Sequence, residues 1–291
     1  MGALSFHPHL VTVLVTLISI LIYPFICALG SHTGGQRSIK NQFFSGWALT
    51  TRRQKYLFLF GMLSLFAANF WPVADLAQHD MLLARMIQQL LITLSATPLL
   101  LLALPKASVV TLTKPKFLDY LLKHLTRPVP SILIFTACSI LAMTPIVVTF
   151  EMSSVVAQQL VHLSLLLAAL LVWIPILRML PGIRQLSTGG RLAYLFVLSL
   201  LPNFPAIVLI FAKRSLYPSY NHSTLGISAV ADQQLTGAIA KVLSLAVFWG
   251  VAISVLLRAD KDEEMGLDPD PITWDDIQRE LDRNAKRFPQ V

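Results

Sequence analysis

Polar and charged side chains interrupt three long apolar segments of the sequence, each near one end of its segment. They are Arg85, Gln88 and Gln89 in the first, Gln158, Gln159 and His162 in the second, and Asp232, Gln233, Gln234 and Lys241 in the third. Such groups are costly in a bilayer and usually face a cavity in which they bind an ion or a substrate. Helical spacing places Gln158 and His162 on one face, and Arg85 on one face with a neighbouring glutamine. The sequence therefore predicts one polar cavity lined by three helices, with simple helix–helix contacts as the alternative.

The charged residues of this predicted cavity need partners at membrane depth. Asp232 is the acid that lies within the same layer, so the sequence predicts that it pairs with Arg85 or Lys241. Glu151 and Asp80 lie at the rim of the layer and are the alternative partners. An unpaired ion at this depth costs roughly 3 kcal/mol or more, which is why a pair is expected.

Histidine and methionine side chains near the same ends of these segments are candidate metal ligands. The candidates are His162, Asp232, His7, His9, His79 and Met86. His7 and His9 form a His-x-His pattern, and Cu(I) also accepts a methionine sulfur. These ligand types are compatible with transiently bound copper, while an ordinary loop or core histidine is the commoner role of each residue taken alone. The cysteines Cys27 and Cys138 lie at different depths and are poor candidates for one metal site.

Motifs that would indicate a catalytic site are missing from the sequence. It contains no Gly-x-Ser-x-Gly, no phosphate-binding loop and no His-Glu-x-x-His. No paired carboxylates stand within the apolar segments either. We therefore expect a protein that acts by binding and is not an enzyme.

The composition shows what kind of element must position these residues. Hydrophobic residues make up 55% of the 291-residue chain and charged residues 13%, and the mean hydropathy is +0.66. The apolar residues fall in blocks of about 20, the length that crosses a bilayer core of about 30 Å. The blocks run over about Leu10–Leu29, Lys55–Phe70, Met81–Leu104, Ser131–Phe150, Val156–Leu177, Leu192–Ala212 and Thr236–Leu257. This pattern predicts an all-α integral membrane bundle of about seven transmembrane helices and excludes a soluble enzyme, a coiled coil and a disordered chain.

Basic residues between the blocks predict the orientation of the bundle. They cluster in the loops after the first, third and fifth blocks and are scarce in the alternate loops. Because cytoplasmic loops are rich in Lys and Arg, the N-terminus is predicted to lie outside and the C-terminus in the cytoplasm. The net charge of +8 follows from this bias and does not indicate nucleic acid. Residues 1–258 are the predicted transmembrane domain, and residues 259–291 a charged cytoplasmic tail with a short helix after Thr273.

Four stretches of the chain, in order, match a known set of motifs. They are Ala84-Arg-Met-Ile-Gln-Gln-Leu-Leu-Ile with Ala96-Thr-Pro-Leu-Leu, His162 to Trp173-Ile-Pro175, Leu216-Tyr-Pro-Ser-Tyr220, and Asp232-Gln-Gln-Leu-Thr-Gly237. Together they resemble the CtaG family of cytochrome c oxidase assembly factors over about Asp75 to Trp249. The last stretch is the most specific, since the family signature reads Asp-Gln-Gln-Leu-Ala-Gly.

The resemblance implies a multi-pass protein of the plasma membrane that assists assembly or copper-centre maturation of a haem–copper cytochrome c oxidase. Its implied partners are lipid and either oxidase subunits or a copper chaperone. The chain departs from the family pattern in span three, where Arg85 and Gln89 replace two histidines. Arginine cannot ligate a metal and an amide is a weak copper ligand, so the resemblance favours oxidase assembly over copper ligation at these positions.

Three other functions are alternatives to oxidase assembly. A copper transport or resistance protein needs soft ligands across the membrane, whereas the candidates here lie near one face. A structural membrane scaffold subunit is compatible with every feature of the sequence. A retinal protein would use Lys241 and a carboxylate in span three, where this chain has Arg85.

The predicted orientation can be tested by cysteine-accessibility labelling in a chain whose Cys27 and Cys138 are replaced by serine. A single cysteine at Ser31 is expected to react from the cytoplasmic side, and one at Ser223 from the outer side, because an odd number of spans separates them. Labelling of both positions from the same side would contradict the assignment.

Overall fold

The computed structural model describes residues 10–29, 44, 46–180, 186–220 and 226–259. All regular structure in these ranges is helical, and no β-strand occurs in them. The all-α class predicted from the apolar blocks is therefore confirmed. The predicted helix of the C-terminal tail lies outside the described residues.

The described residues form the following α-helices, in chain order. They are α1 (Leu10–Ala28), α2 (Arg52–Asn69), α3 (Val73–His79), α4 (Leu82–Leu90), α5 (Thr97–Ala103), α6 (Lys106–Leu112), α7 (Lys116–Leu125), α8 (Pro128–Ala142), α9 (Pro145–Ser153), α10 (Val155–Leu177), α11 (Thr188–Leu200), α12 (Phe204–Phe211) and α13 (Ala229–Leu256). A π-helical segment, Leu91–Ala96, joins α4 to α5, and 3₁₀ turns at Leu201–Asn203 and Pro218–Tyr220 complete the chain.

Four helical stretches are long and apolar enough to cross a membrane. They are Leu82–Ala103, Val155–Leu177, Thr188–Phe211 and Ala229–Leu256. The pair α7 and α8, bent by 86°, supplies a fifth if it forms one broken span, and α1 is apolar but shorter. The protein is thus an integral membrane protein with helices over every predicted block, while seven crossings and the orientation stay predictions.

The fourth predicted block, Ser131–Phe150, is not one helix, which corrects the prediction of a continuous span there. α8 ends at Ala142, and α9 begins at Pro145 after the N-cap Thr144, whose side chain accepts a hydrogen bond from the backbone of Val147. Proline fits the first position of a helix but blocks the hydrogen bond of a preceding turn. The helix that begins after this break, α9, carries the buried Glu151.

The stretch Leu82–Ala103 is the most buried of the four candidate spans and forms the centre of the bundle. Its middle is π-helical, and the indole of the buried Trp173 on α10 donates a hydrogen bond of 2.9 Å to the carbonyl of Thr93. A π-helical turn leaves carbonyl groups without their usual intrahelical donors. Trp173 therefore satisfies one of them and fixes α10 against the centre of the bundle.

Close packing of α12 on α13 depends on a glycine. A Cβ atom at Gly237 would lie 2.6 Å from the carbonyl oxygen of Ala206, which is backbone and cannot move aside. In contrast, a Cβ at Gly250, on the same helix, meets nothing within 4 Å. The absence of a side chain at Gly237 thus sets the distance between these helices.

We expect Gly237→Ala to lower the stability of the purified protein by about 1–3 kcal/mol, because the new methyl group forces the helices apart. Gly250→Ala is the matched control and should leave the thermal midpoint unchanged or slightly higher, since alanine favours helix over glycine. Thermal unfolding in one detergent measures both. An equal effect of the two substitutions would contradict the close contact.

Candidate functional site: a buried polar layer

A buried ion pair between Arg85 and Glu151 lies at the centre of the site. Arg85 is on α4 and Glu151 on α9, and their side chains are 6% and 4% exposed. The guanidinium donates through a terminal nitrogen to one carboxylate oxygen of Glu151. Because an ion buried without a counter-ion is strongly destabilising, this contact fixes α9 against the central span.

His162 extends the ion pair toward α2 and α1. Its Nε2 lies 3.1 Å from the other carboxylate oxygen of Glu151, and its Nδ1 lies 2.7 Å from the side-chain oxygen of Asn69. Asn69 also donates to the carbonyl of Leu65 at 3.0 Å, and its own carbonyl accepts from Thr12 at 2.8 Å. Both ring nitrogens of His162 are therefore occupied by contacts within the protein.

Glutamines complete the layer around these charges. Gln88 is buried and donates to the carbonyl of Ala68 at 2.7 Å, and Gln158 accepts from Gln78 at 2.8 Å. Gln89 donates to the carbonyl of Ser139 at 3.4 Å. A small cavity is lined by Arg85, Gln88, Gln89, Glu151 and His162 together with apolar neighbours. The structure thus brings together four of the predicted cavity residues and adds Glu151.

Asp232 has a different role from the one predicted, because it caps a helix. Its two carboxylate oxygens accept hydrogen bonds from the backbone of Leu82 at 2.7 Å and of Leu83 at 3.2 Å. These are the first residues of α4, whose own N-cap, Met81, makes no side-chain cap bond. A carboxylate is favourable there because it satisfies free N–H groups and the positive end of the helix dipole. The predicted Arg85–Asp232 pair is wrong, since Arg85 pairs with Glu151.

The two glutamines after Asp232 hold the loop that precedes α13. The side-chain oxygen of Gln233 accepts from the backbone of Leu216 at 2.8 Å, and its nitrogen donates to the carbonyl of Arg214 at 3.4 Å. Gln234 is exposed and donates to the carbonyl of Ala212 at 3.4 Å. Lys241 is also exposed, so the structure does not place it in the cavity. Gln233 and Gln234 thus each donate a hydrogen bond to a backbone carbonyl of the loop before α13.

Two tyrosines that sequence reasoning did not single out anchor the same loop. Tyr220 donates to the carbonyl of Ala77 at 2.6 Å, and Tyr217 donates to the carbonyl of Met143. Burial raises the pKa of Tyr220 to about 12 and also raises the pKa of Tyr217. Both hydroxyls are therefore protonated donors at neutral pH. The signal was present in Leu216-Tyr-Pro-Ser-Tyr220, which served above only for the resemblance.

The predicted metal ligands do not form one group in the described part of the chain, where no three His, Cys, Asp or Glu side chains lie together. His162 and Asp232 make separate contacts, as described above. His7 and His9 lie outside the described ranges, and the side chain of His79 is not described. A copper ion at His162 would have to replace Glu151 or Asn69 as its partner, with Arg85 already in place as the cation. The residues at His162 therefore do not fit a metal site.

We expect strong coupling between Arg85 and Glu151 in a double-mutant cycle. Glu151→Gln alone should destabilise the protein by about 3 kcal/mol or more, because it leaves a buried guanidinium without a counter-ion. Adding Arg85→Gln should recover part of that loss. Thermal unfolding of the four proteins in detergent measures the coupling.

The control cycle combines Arg85→Gln with Asp232→Asn, whose side chains make separate contacts. Their coupling should be clearly smaller than that of Arg85 with Glu151, because Asp232 contacts the backbone of Leu82 and Leu83 and Arg85 pairs with Glu151. Additivity in the first cycle, or strong coupling in the second, would contradict the pairing seen in the structure.

Comparison with known proteins agrees with the resemblance found in the sequence. The model of the cytochrome c oxidase caa3 assembly factor family (Caa3_CtaG) matches residues 36–261. No curated protein and no solved structure matches the chain. The matched region contains the whole polar layer except Thr12, and it contains Asp232 to Gly237. This chain belongs to the Caa3_CtaG family of cytochrome c oxidase assembly factors.

Proposed function

We propose that this protein assists copper-centre maturation of a haem–copper cytochrome c oxidase by binding the unfinished enzyme, with no catalysis of its own. The family match over residues 36–261 carries the proposal. The buried charges support a binding role, because Arg85, Glu151, His162 and Asp232 are each committed to a contact that joins helices. The partners are oxidase subunits in the membrane, and a copper chaperone is the further partner that we propose.

The proposed location is the plasma membrane, with seven crossings, the N-terminus outside and the C-terminus in the cytoplasm. The bias of Lys and Arg between the apolar blocks supports this orientation. In this proposed orientation, the polar layer and the loop before α13 lie at the outer face of the membrane.

The loop over residues 213–220 is the surface that we propose for contact with the oxidase. Lys213, Arg214, Pro218 and Ser219 are exposed on it. The buried contacts of Gln233, Tyr217 and Tyr220 described above hold its backbone in place. A surface that is already ordered loses little conformational entropy on binding, and two adjacent cations favour an acidic partner surface.

Deleting the gene should lower assembled, active oxidase without lowering the transcripts of its subunits. Wild-type protein should restore assembly, while Lys213→Ser combined with Arg214→Ser should restore it only partly, because the contact loses both charges. The oxidase content and activity of isolated membranes measure the effect.

Lys114→Ser combined with Lys116→Ser is the matched control, since it removes two exposed lysines at the start of α7, away from the loop over residues 213–220 in the sequence. It should restore assembly fully at equal protein level. Normal oxidase copper content and activity in the deletion strain would contradict the proposed function. Full rescue by the variant at Lys213 and Arg214 would contradict the proposed contact surface.

A further inference from the structure

We propose that α7 lies along the membrane surface and binds the headgroups of anionic phospholipids. The axis of α7 is turned by 86° from that of α8, the next helix along the chain. α8 contains no charged residue and suits the hydrocarbon core, whereas the ten residues of α7 include Lys116, Asp119 and Lys123. A helix at nearly a right angle to an apolar crossing runs in the plane of the interface, where amphipathic helices bind.

Contacts within the protein fix this bend. α8 begins with Pro128, which has no N–H group and cannot continue the hydrogen bonds of α7. The buried Thr126 ends α7, because its backbone N–H and its hydroxyl both donate to the carbonyl of Leu122, at 3.0 and 2.6 Å. The hydroxyl of Ser131 lies 2.8 Å from that of Tyr194 and ties the start of α8 to α11. The direction of α7 is therefore set before any lipid binds.

One face of α7 is apolar and only partly covered by the bundle. Helical spacing places Leu118, Leu121, Leu122 and Leu125 on this face. In α7, all of which the structure describes, no residue is buried, although Leu122 packs against the main hydrophobic cluster. Phe117, at the edge of the same face, is 77% exposed. An interfacial helix buries such side chains about 5–10 Å deep, at the boundary between headgroups and acyl chains.

The opposite face and the ends of α7 are basic. Asp119 forms an exposed ion pair of 2.7 Å with Lys123, so the one acid of the segment over residues 106–127 already has a cation. Tyr120 is 64% exposed, and an aromatic ring with a hydroxyl is a side chain typical of the membrane interface. The segment carries five exposed cations, which are Lys106, Lys114, Lys116, Lys123 and Arg127.

This charge decides which occupant fits. In the proposed orientation α7 lies on the cytoplasmic side, where anionic lipids give the leaflet a negative surface potential that attracts lysine and arginine next to a span. An oxidase subunit or a second copy of the chain would instead cover Phe117 with protein. The proposal does not rest on the proposed function, because the spans anchor the chain without α7. The variant at Lys114 and Lys116 is therefore still expected to support oxidase assembly.

The position of α7 can be measured with nitroxide labels on the full chain in nanodiscs that contain phosphatidylglycerol. Cys27 and Cys138 are replaced by serine, and single cysteines are introduced as Phe117→Cys, Leu121→Cys or Lys123→Cys. Labels at positions 117 and 121 should collide mainly with oxygen, which concentrates in lipid. The label at position 123 should collide mainly with a water-soluble nickel chelate, because it lies on the opposite face.

Two results of this measurement would overturn the proposal. Equal access of the nickel chelate to all three labels would show that α7 lies in water. Low access of both reagents to the label at position 117 would show that protein covers this face. The labelled positions are exposed or partly exposed, and a thermal midpoint close to that of the unlabelled chain checks that each protein is folded.

The preference for anionic lipid is tested by adding phosphatidylglycerol to the detergent-solubilised chain with a bimane label at position 117. A shift of the bimane emission to shorter wavelength reports entry into an apolar environment. We expect phosphatidylglycerol to give this shift at lower concentration than phosphatidylcholine. Lys114→Ser combined with Lys116→Ser should weaken the apparent affinity on the order of tenfold, and added salt should weaken it too.

The matched control is Lys213→Ser combined with Arg214→Ser, which removes the same charge from the loop before α13. It should leave the response of the label at position 117 unchanged. Equal responses to the two lipids, or equal weakening by the two double variants, would contradict binding of anionic headgroups at α7.

Discussion

The structure depends on how a guanidinium is kept inside an apolar bundle. Arg85 lies on the central span and its side chain is buried, so its charge must be met within the protein. Glu151 supplies the counter-ion, His162 contacts the same carboxylate, and Asn69 contacts His162. Thr12 then ties α1 to Asn69. One buried charge thus determines the relative positions of α1, α2, α4, α9 and α10 through a continuous series of contacts.

The family signature Asp-Gln-Gln-x-x-Gly has a physical explanation in this chain, because each named position binds or approaches backbone. Asp232 satisfies the free N–H groups of α4, and Gln233 and Gln234 hold the carbonyls of the preceding loop. Gly237 lets the carbonyl of Ala206 approach α13. Contacts to backbone depend on the exact reach of the side chain, since the partner cannot be exchanged for a complementary residue. The signature is therefore a requirement of assembly of the bundle, and it need not line a ligand site.

The sequence grouped four of the polar residues correctly and predicted their main partner wrongly. Hydropathy identified the helices, and helical spacing correctly joined Arg85, Gln88, Gln89 and His162. The sequence pattern could not show that Asp232 accepts a hydrogen bond from the backbone of Leu82. The free N–H groups at the start of a helix belong to the backbone, so the types and spacing of side chains do not reveal which residue binds them. The sequence pattern placed Glu151 at the rim, because the predicted span Ser131–Phe150 was continuous, whereas the structure begins a new helix at Pro145 and buries Glu151. Lys241 lies on the same helix as Asp232, but its side chain is exposed and does not join the cavity.

In this chain the polar layer uses for helix packing the side chains that could otherwise meet a metal ion. A histidine whose two nitrogens already face Glu151 and Asn69 stabilises helix packing, and Arg85 already supplies the positive charge beside Glu151. Arginine cannot ligate a metal and an amide is a weak copper ligand. The two positions at which the family pattern has histidines therefore contribute contacts between helices here, because Arg85 pairs with Glu151 and Gln89 donates to the carbonyl of Ser139.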